Sequence, residues 1–202
     1  MATRKEFAQA LGQADASAKE LVGDNKTNIQ AAWAAIASSI PARARFQKQF
    51  AALDAQRSAQ PSRAHEALAC LIHAGVVECV VSLNWDTALE SAYKRLYGTS
   101  LPENLLFKPH GDAAKPDDPW ILPHEPGLIP PEVTTKVTLL ASEHARTLLV
   151  IGFSGSDRVV VDELIKPLDR SWRTVRVGPS STELDDLTAG GNRDPATRRT
   201  IR

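Results

Sequence analysis

The sequence predicts an α/β fold, a doubly wound parallel sheet with an N-terminal helical segment. Three observations carry this expectation. Near residue 75 the chain changes from alanine, glutamine and charged residues to short apolar runs rich in β-branched side chains. Those runs alternate with stretches of helical periodicity, the pattern of parallel strands joined by crossover helices. Each run also leads into glycine, serine, asparagine, aspartate or histidine, residue types that turn a chain and that meet ligands at the carboxyl edge of a parallel sheet.

The first 60 residues read as helical. Ile29, Ala32, Trp33, Ile36 and Ile40 recur at three and four residues, which puts them on one helical face. Thr27 or Asn25 can cap that helix, Pro41 stands where a following helix would begin, and Pro61-Ser62 opens another that runs to Gly75. No convincing strand precedes residue 76. The runs Val76 to Leu83, Leu105 to Lys108, Thr147 to Ile151 and Thr174 to Val177 read as buried parallel strands. Between them, Asp86 to Tyr97, Pro131 to Arg146 and Asp157 to Leu168 have helix-like periodicity. The segment from Asp112 to Pro131 holds six prolines and reads as an ordered loop over the edge of the sheet. Gly190 to Arg202 is glycine-led and polar, a loose tail. The expected organisation is therefore a helical segment over 1–60, an α/β core over 61–189 and a flexible tail over 190–202, with no internal repeat.

Composition narrows the class. At 202 residues, 43% hydrophobic and 24% charged, the chain is long enough for one full core. Lys plus Arg equals Asp plus Glu at 24 each, so no net field draws it to nucleic acid or to an anionic membrane surface. Cys70 and Cys79 are the only cysteines, each in an apolar stretch, and are expected to be reduced and buried. That usage points to a cytoplasmic compartment. No stretch approaches the roughly 20 apolar residues of a membrane span, and the start, Met1-Ala-Thr-Arg-Lys-Glu, leads into an amphipathic pattern.

The strand ends are where chemistry is expected. They read Ser82-Leu83-Asn84-Trp85-Asp86, Pro109-His110-Gly111-Asp112, Gly152-Phe153-Ser154-Gly155-Ser156-Asp157 and Gly178-Pro179-Ser180-Ser181. Singly each is a weak signal, because Asn and Asp cap helices and glycine lets a chain turn. In this order they resemble the sirtuin-like (silent information regulator type) family of NAD-consuming domains, whose strands end in Asn-x-Asp, His-Gly and Gly-x-Ser. The preceding helix, Pro61-Ser62-Arg63-Ala64-His65-Glu66-Ala67-Leu68, is similar to the family's proline-x-x-x-His-x-x-Leu helix, in which His65 would be structural. The resemblance covers residues 61 to 188.

The resemblance implies a Rossmann-like, sirtuin-like sheet that takes NAD as substrate or ligand and hydrolyses it to nicotinamide and ADP-ribose. It implies that Asn84 contacts the nicotinamide ribose, Asp86 supports the nicotinamide pocket and His110 activates the attacking oxygen. Ser82 and Gly111 would belong to the cofactor site beside them. Gly152, Ser154 and Gly155 would approach the phosphates, and Gly178 the adenosine ribose. The chemistry suits those residue types. Nicotinamide leaves through a transition state with oxocarbenium character, which calls for dipoles near the ribose and a base. An unperturbed imidazole, titrating near about 6.5, is such a base. Ser154, Gly155 and Ser156 would offer amides at the start of the helix near Asp157, an end that favours an anion.

Two departures from the family pattern stand out. The family begins with a strand ending in Gly-Ala-Gly-x-Ser, whereas before residue 75 this chain has only Gly12 and Gly23, with no apolar run ahead of either. The first glycine-rich strand is missing, so the chain starts beyond it or something else replaces it. Losing a central strand would strand backbone groups on its neighbours, each costing on the order of 1 to 3 kcal/mol if buried without a partner. The second departure is zinc: no cysteine follows Cys79, so the four-cysteine module of the family's deacylases is absent. The zinc-free branch is similar to bacterial antiviral effectors, which implies a homo-oligomer or additional defence domains or subunits as partners.

Other readings compete with these. His110 could be a turn histidine. Asp86, Asp112 and His124 could suggest a metal site, but none share helical i, i+4 spacing, so no metal is expected. Trp85 and Trp120 could stack on a base, with packing the favoured alternative, and Asp157 is favoured as a helix cap over a site residue. His73 and His144 read as plain surface or core residues. For the whole chain, the rivals to an enzyme are a non-catalytic module that binds NAD or ADP-ribose and a remnant acting as a helical interaction surface. The enzyme reading requires Asn84, His110 and Gly152 to meet at one rim of one sheet.

Overall fold

Helices α1 (Ile29–Ala37) and α2 (Ile40–Arg57) are separated by Ser38-Ser39. Ser39 is extended and its Oγ accepts a hydrogen bond from Ala42 N at 3.4 Å, while Pro41 sits in the first turn, where a missing N–H leaves nothing unpaired. The break moves Ile40 off the apolar face read from the spacing. Ile40 is 83% exposed, whereas Ala32, Trp33 and Ile36 are buried. The computed structural model that shows this describes residues 29–58, 60–102, 104–122, 125, 129–143, 146–153, 155, 157–169, 172–177 and 199–201. The proposed caps Asn25 and Thr27 lie outside these residues.

Helix α3 (Arg63–His73) starts with the Ser62/His65 pair: His65 Nδ1 lies 3.2 Å from Ser62 N and 2.9 Å from Ser62 Oγ. His65 is thus a capping residue. The helix ends at Gly75, whose φ of 69° suits only a residue without Cβ strain. Val76 N and Val77 N both donate to Leu71 O, at 3.0 and 3.4 Å. The start of the expected first strand is therefore spent closing a helix, and β1 is only Val80–Val81. Helix α4 (Ala88–Tyr97) follows and ends on Gly98 at φ 71°. Ala69 and Ile72 of α3 pack on Leu89, Ala92 and Tyr93 of α4, with Val80 and Leu106 against them. Cys70 is exposed and Cys79 half-buried, neither in a disulfide, which corrects the expectation of buried thiols. Cys70 follows the buried Ala69 and is turned about 100° around the helix from it. His73 is exposed and stacks on Tyr97 with ring centroids 3.7 Å apart.

Strand β2 (Leu106–Phe107) pairs parallel with β1, Val80 opposite Leu106 and Val81 opposite Phe107. The ladder extends through Val80 N to Leu105 O (2.7 Å) and Ser82 N to Phe107 O (2.8 Å).

Two compact units divide the chain, Met1–Glu125 and Pro126–Arg202. The division falls inside the proline-rich segment, so α1 and α2 share a unit with β1 and β2. In the second unit, helix α5 (Pro131–Glu143) buries Val133 and Leu140. Strand β3 (Thr147–Ile151) spans the run read from the sequence and pairs parallel, residue for residue, with β4 (Arg173–Val177). Between them runs a helical stretch made of α6 (Arg158–Val160), a π turn (Val161–Ile165) and α7 (Lys166–Asp169). Pro167 explains the π turn: it has no N–H for the Glu163 carbonyl and its ring crowds that oxygen, so the preceding turn widens. Within the segment read as a tail, Arg199–Ile201 form β5, parallel to β4.

The protein is α/β with parallel strands. The described strands form two small sheets, β1-β2 and β3-β4-β5, one in each unit, and no single doubly wound layer is traced among the described residues. Nor are the strands buried as expected. In β3 the side chains alternate, and Leu149 and Ile151 are 38% and 48% exposed; a parallel strand is buried only where helices cover both faces. No strand occurs among the described residues before Val80, and no described helix is long and apolar enough to cross a membrane.

Candidate functional site

The parallel pairing of β1 and β2 delivers the two following loops to the same edge, since both strands end there. The loop after β1 carries Ser82, Asn84 and Asp86; the loop after β2 carries His110, Gly111 and Asp112. These two loops are stitched together. Trp85 Nε1 donates to His110 O at 2.9 Å, and Ala113 N donates to Trp85 O at 2.7 Å. Ile121 N also donates to His110 O, at 2.9 Å.

Each site residue has a local job. Ser82 Oγ accepts from Asn84 N at 3.3 Å, which folds the turn that leaves Asn84 exposed. Asp86 Oδ1 accepts from Ala88 N at 3.2 Å and so satisfies an amide at the start of α4. His110 is half-buried, and its Nε2 is screened from solvent. Gly111 has φ 114°, and a Cβ there would lie 2.5 Å from Cδ1 and Cγ of Trp120. Glycine at 111 is therefore required by an indole of the chain itself.

Trp85 and Trp120 are packing residues, stacked at 5.3 Å with their planes 28° apart. They close a cluster with Trp33, Phe46 and Phe50. The described part of the proline-rich loop is held by α2: Arg43 Nη2 donates to Trp120 O at 2.8 Å, Arg43 pairs with Glu125, and Gln47 Nε2 donates to Asp118 O at 2.6 Å.

Two buried charges escaped the sequence reading. Asp54 of α2 accepts from Ser58 Oγ (2.5 Å), Thr87 N (3.0 Å) and Thr87 Oγ1 (2.6 Å), tying α2 to the loop that carries Asn84. Its signal was spacing, because Asp54 stands four residues after Phe50 and eight after Phe46, on the apolar face. Asp54→Ala is expected to destabilise the protein by about 1–3 kcal/mol, the cost of leaving buried donors without an acceptor. A urea midpoint unchanged from that of the parent would refute it. The second charge is Lys108, at the end of β2 with its side chain 6% exposed. Its Nζ donates to Asp86 O (2.7 Å), Glu90 Oε1 (2.8 Å) and Asp112 Oδ1 (2.9 Å), with Trp85 O more distant at 3.4 Å. Its only signal was a lysine directly abutting an apolar run.

In the second unit, Gly152 follows β3 at φ 64°, is exposed, and donates its N–H to Val177 O at 2.9 Å. Gly155 is buried at φ 88°. Asp157 is the helix cap: its Oδ1 accepts from Val159 N (3.0 Å) and Val160 N (3.2 Å). Two first-turn amides, those of Val159 and Val160, are thus met by a carboxylate of the chain. Ser154, Ser156, Gly178 and His124 lie outside the described residues.

No family model, curated protein or solved structure matches this chain. The functional reading therefore rests on the geometry of these loops and on the residues they carry.

Proposed function

We propose that the chain carries a sirtuin-like, doubly wound NAD-binding domain that hydrolyses NAD to nicotinamide and ADP-ribose. The observation that carries the reading is the rim after β1 and β2, where the Asn84-Asp86 loop and the His110-Gly111 loop leave one parallel pair side by side and are hydrogen-bonded to each other. Asn84, exposed on that rim, supplies an uncharged dipole to the ribose. Asp86, its carboxylate held at the start of α4, borders the nicotinamide. The bond from ribose carbon to nicotinamide nitrogen breaks and its electron pair leaves with nicotinamide. A water oxygen then bonds to that carbon while His110 takes the water proton. No zinc takes part. The biological setting, an antiviral effector working in the cytoplasm with a homo-oligomer or defence subunits as partners, follows the resemblance.

The test is nicotinamide release from NAD by the full chain and by His110→Ala and Asn84→Ala. Each variant is expected to keep the parent's melting temperature and to lose turnover, His110→Ala by about 10²–10⁴-fold, the usual contribution of a positioned acid or base, and Asn84→Ala by about 10²–10³-fold, that of one positioned dipole. Unchanged turnover would refute the assignment. A second reading, a non-catalytic binder of NAD or ADP-ribose, is favoured by the screened Nε2 of His110. Calorimetric binding without nicotinamide release would select it.

A further inference from the structure

We propose that Lys108 is the positioning residue of this rim, a buried ammonium that sets the distance between the loop bearing Asn84 and the loop bearing His110. An ammonium offers three protons, and here three acceptors lie within 2.9 Å, each from a different stretch: Asp86 O after β1, Glu90 Oε1 in the first turn of α4 and Asp112 Oδ1 after β2. The lysine itself directly follows β2, so one nitrogen joins the strand end, both loops and the helix start. No solvent-exposed pair would do this, because water would compete for every proton. At 6% exposure the group is held by its partners alone.

The charges make the clamp two-way. Glu90 and Asp112 converge on one nitrogen, so removing the cation leaves two carboxylates facing each other in a partly buried place. Breaking such a group by deleting one member is far more disruptive than its net worth when intact. The expected response is local: Asp112 swings away from Glu90, and the His110 loop separates from the Trp85 turn.

The reporter is the Trp85 indole N–H, which donates to His110 O across the two loops. Its hydrogen exchange, followed by NMR in the full chain and assigned with Trp85→Phe, needs no ligand. In Lys108→Met the exchange is expected to quicken by about tenfold or more relative to Ile72→Val, a core variant compared at equal distance below its melting temperature, since a local opening changes exchange where global stability is matched. Equal exchange in the two variants would overturn the proposal. Should Lys108→Met not fold, Lys108→Met with Glu90→Gln and Asp112→Asn removes the facing charges. Fast Trp85 exchange in that triple variant supports the clamp, and parent-like protection overturns it. The catalytic consequence alone rests on the NAD reading: where the parent releases nicotinamide, Lys108→Met lowers kcat at least as much as His110→Ala lowers it through lost chemistry. A parent without turnover would sink the NAD reading and leave the exchange result standing.

Discussion

Gly111→Ala is expected to destabilise the first unit by about 2–6 kcal/mol, the sum of a left-handed backbone forced on a residue with a Cβ, about 1–3 kcal/mol, and overpacking of a filled site, about 1–3 kcal/mol. The backbone has φ 114°, and the added carbon would meet the Trp120 indole at 2.5 Å. Trp120 has little room to yield. It is buried, its ring stacks on Trp85, its Nε1 donates to Lys115 O at 3.3 Å, and its carbonyl is held by Arg43. Denaturant titration measures the loss directly. A double-mutant cycle with Trp120→Ala locates it, because relief of the clash makes the pair less damaging than the sum of the two singles. Strict additivity would show that the indole is not what excludes a side chain. The cycle also separates two reasons for glycine at this position, since a residue kept only for close approach of NAD would be silent in stability.

Phe46→Ala should cost about 3–5 kcal/mol, the range for emptying a fully buried aromatic site. Phe46 is 0% exposed and its ring meets Trp33 at 5.0 Å, Trp85 at 5.9 Å, Phe50 at 6.0 Å and Trp120 at 6.5 Å, mostly edge to face. It is the common neighbour through which α1, α2 and the two site loops share one core. The cavity would therefore loosen Trp85 and Trp120 together, and with them the backbone of His110, which Trp85 holds. The checks are the thermal midpoint and the near-ultraviolet dichroism of the tryptophans. Phe46→Leu, which keeps much of the volume, should lose less than about 1.5 kcal/mol. A similar loss for both variants would mean that ring packing contributes little at this site.

Local chemistry was legible in the residues themselves. β3 spans its predicted residues, α3 ends at Gly75, Asp157 caps the helical stretch after β3, and Pro41 lies in the first turn of α2. These signals act within one turn or one strand, where spacing and φ preference decide the outcome. The alternation of strand and helix was legible for the same reason. So was the fact that Asn84 and His110 each follow an apolar run, and parallel pairing then carries both to one edge.

The partners of the buried and half-buried charges were not legible. Lys108 meets Glu90 from 18 residues away, Asp54 meets Thr87 from 33, and Arg43 meets Glu125 from 82. Nothing at those distances along the chain specifies a partner; only the packing of helices and loops does. The exposure of Ile40, Cys70 and Leu149 has the same origin, because periodicity supplies an apolar face while neighbouring elements decide whether that face is covered. By itself, then, the sequence determined where most helices and the strand β3 would fall and which chemical groups would follow the apolar runs, but not the short β1 or the strand β5 within the expected tail. The tertiary structure alone decided that Trp120 would fill the space beside Gly111, that Lys108 would join two loops, and that the described strands would pair as β1-β2 and β3-β4-β5, since these outcomes depend on long-range contacts and on the water they exclude.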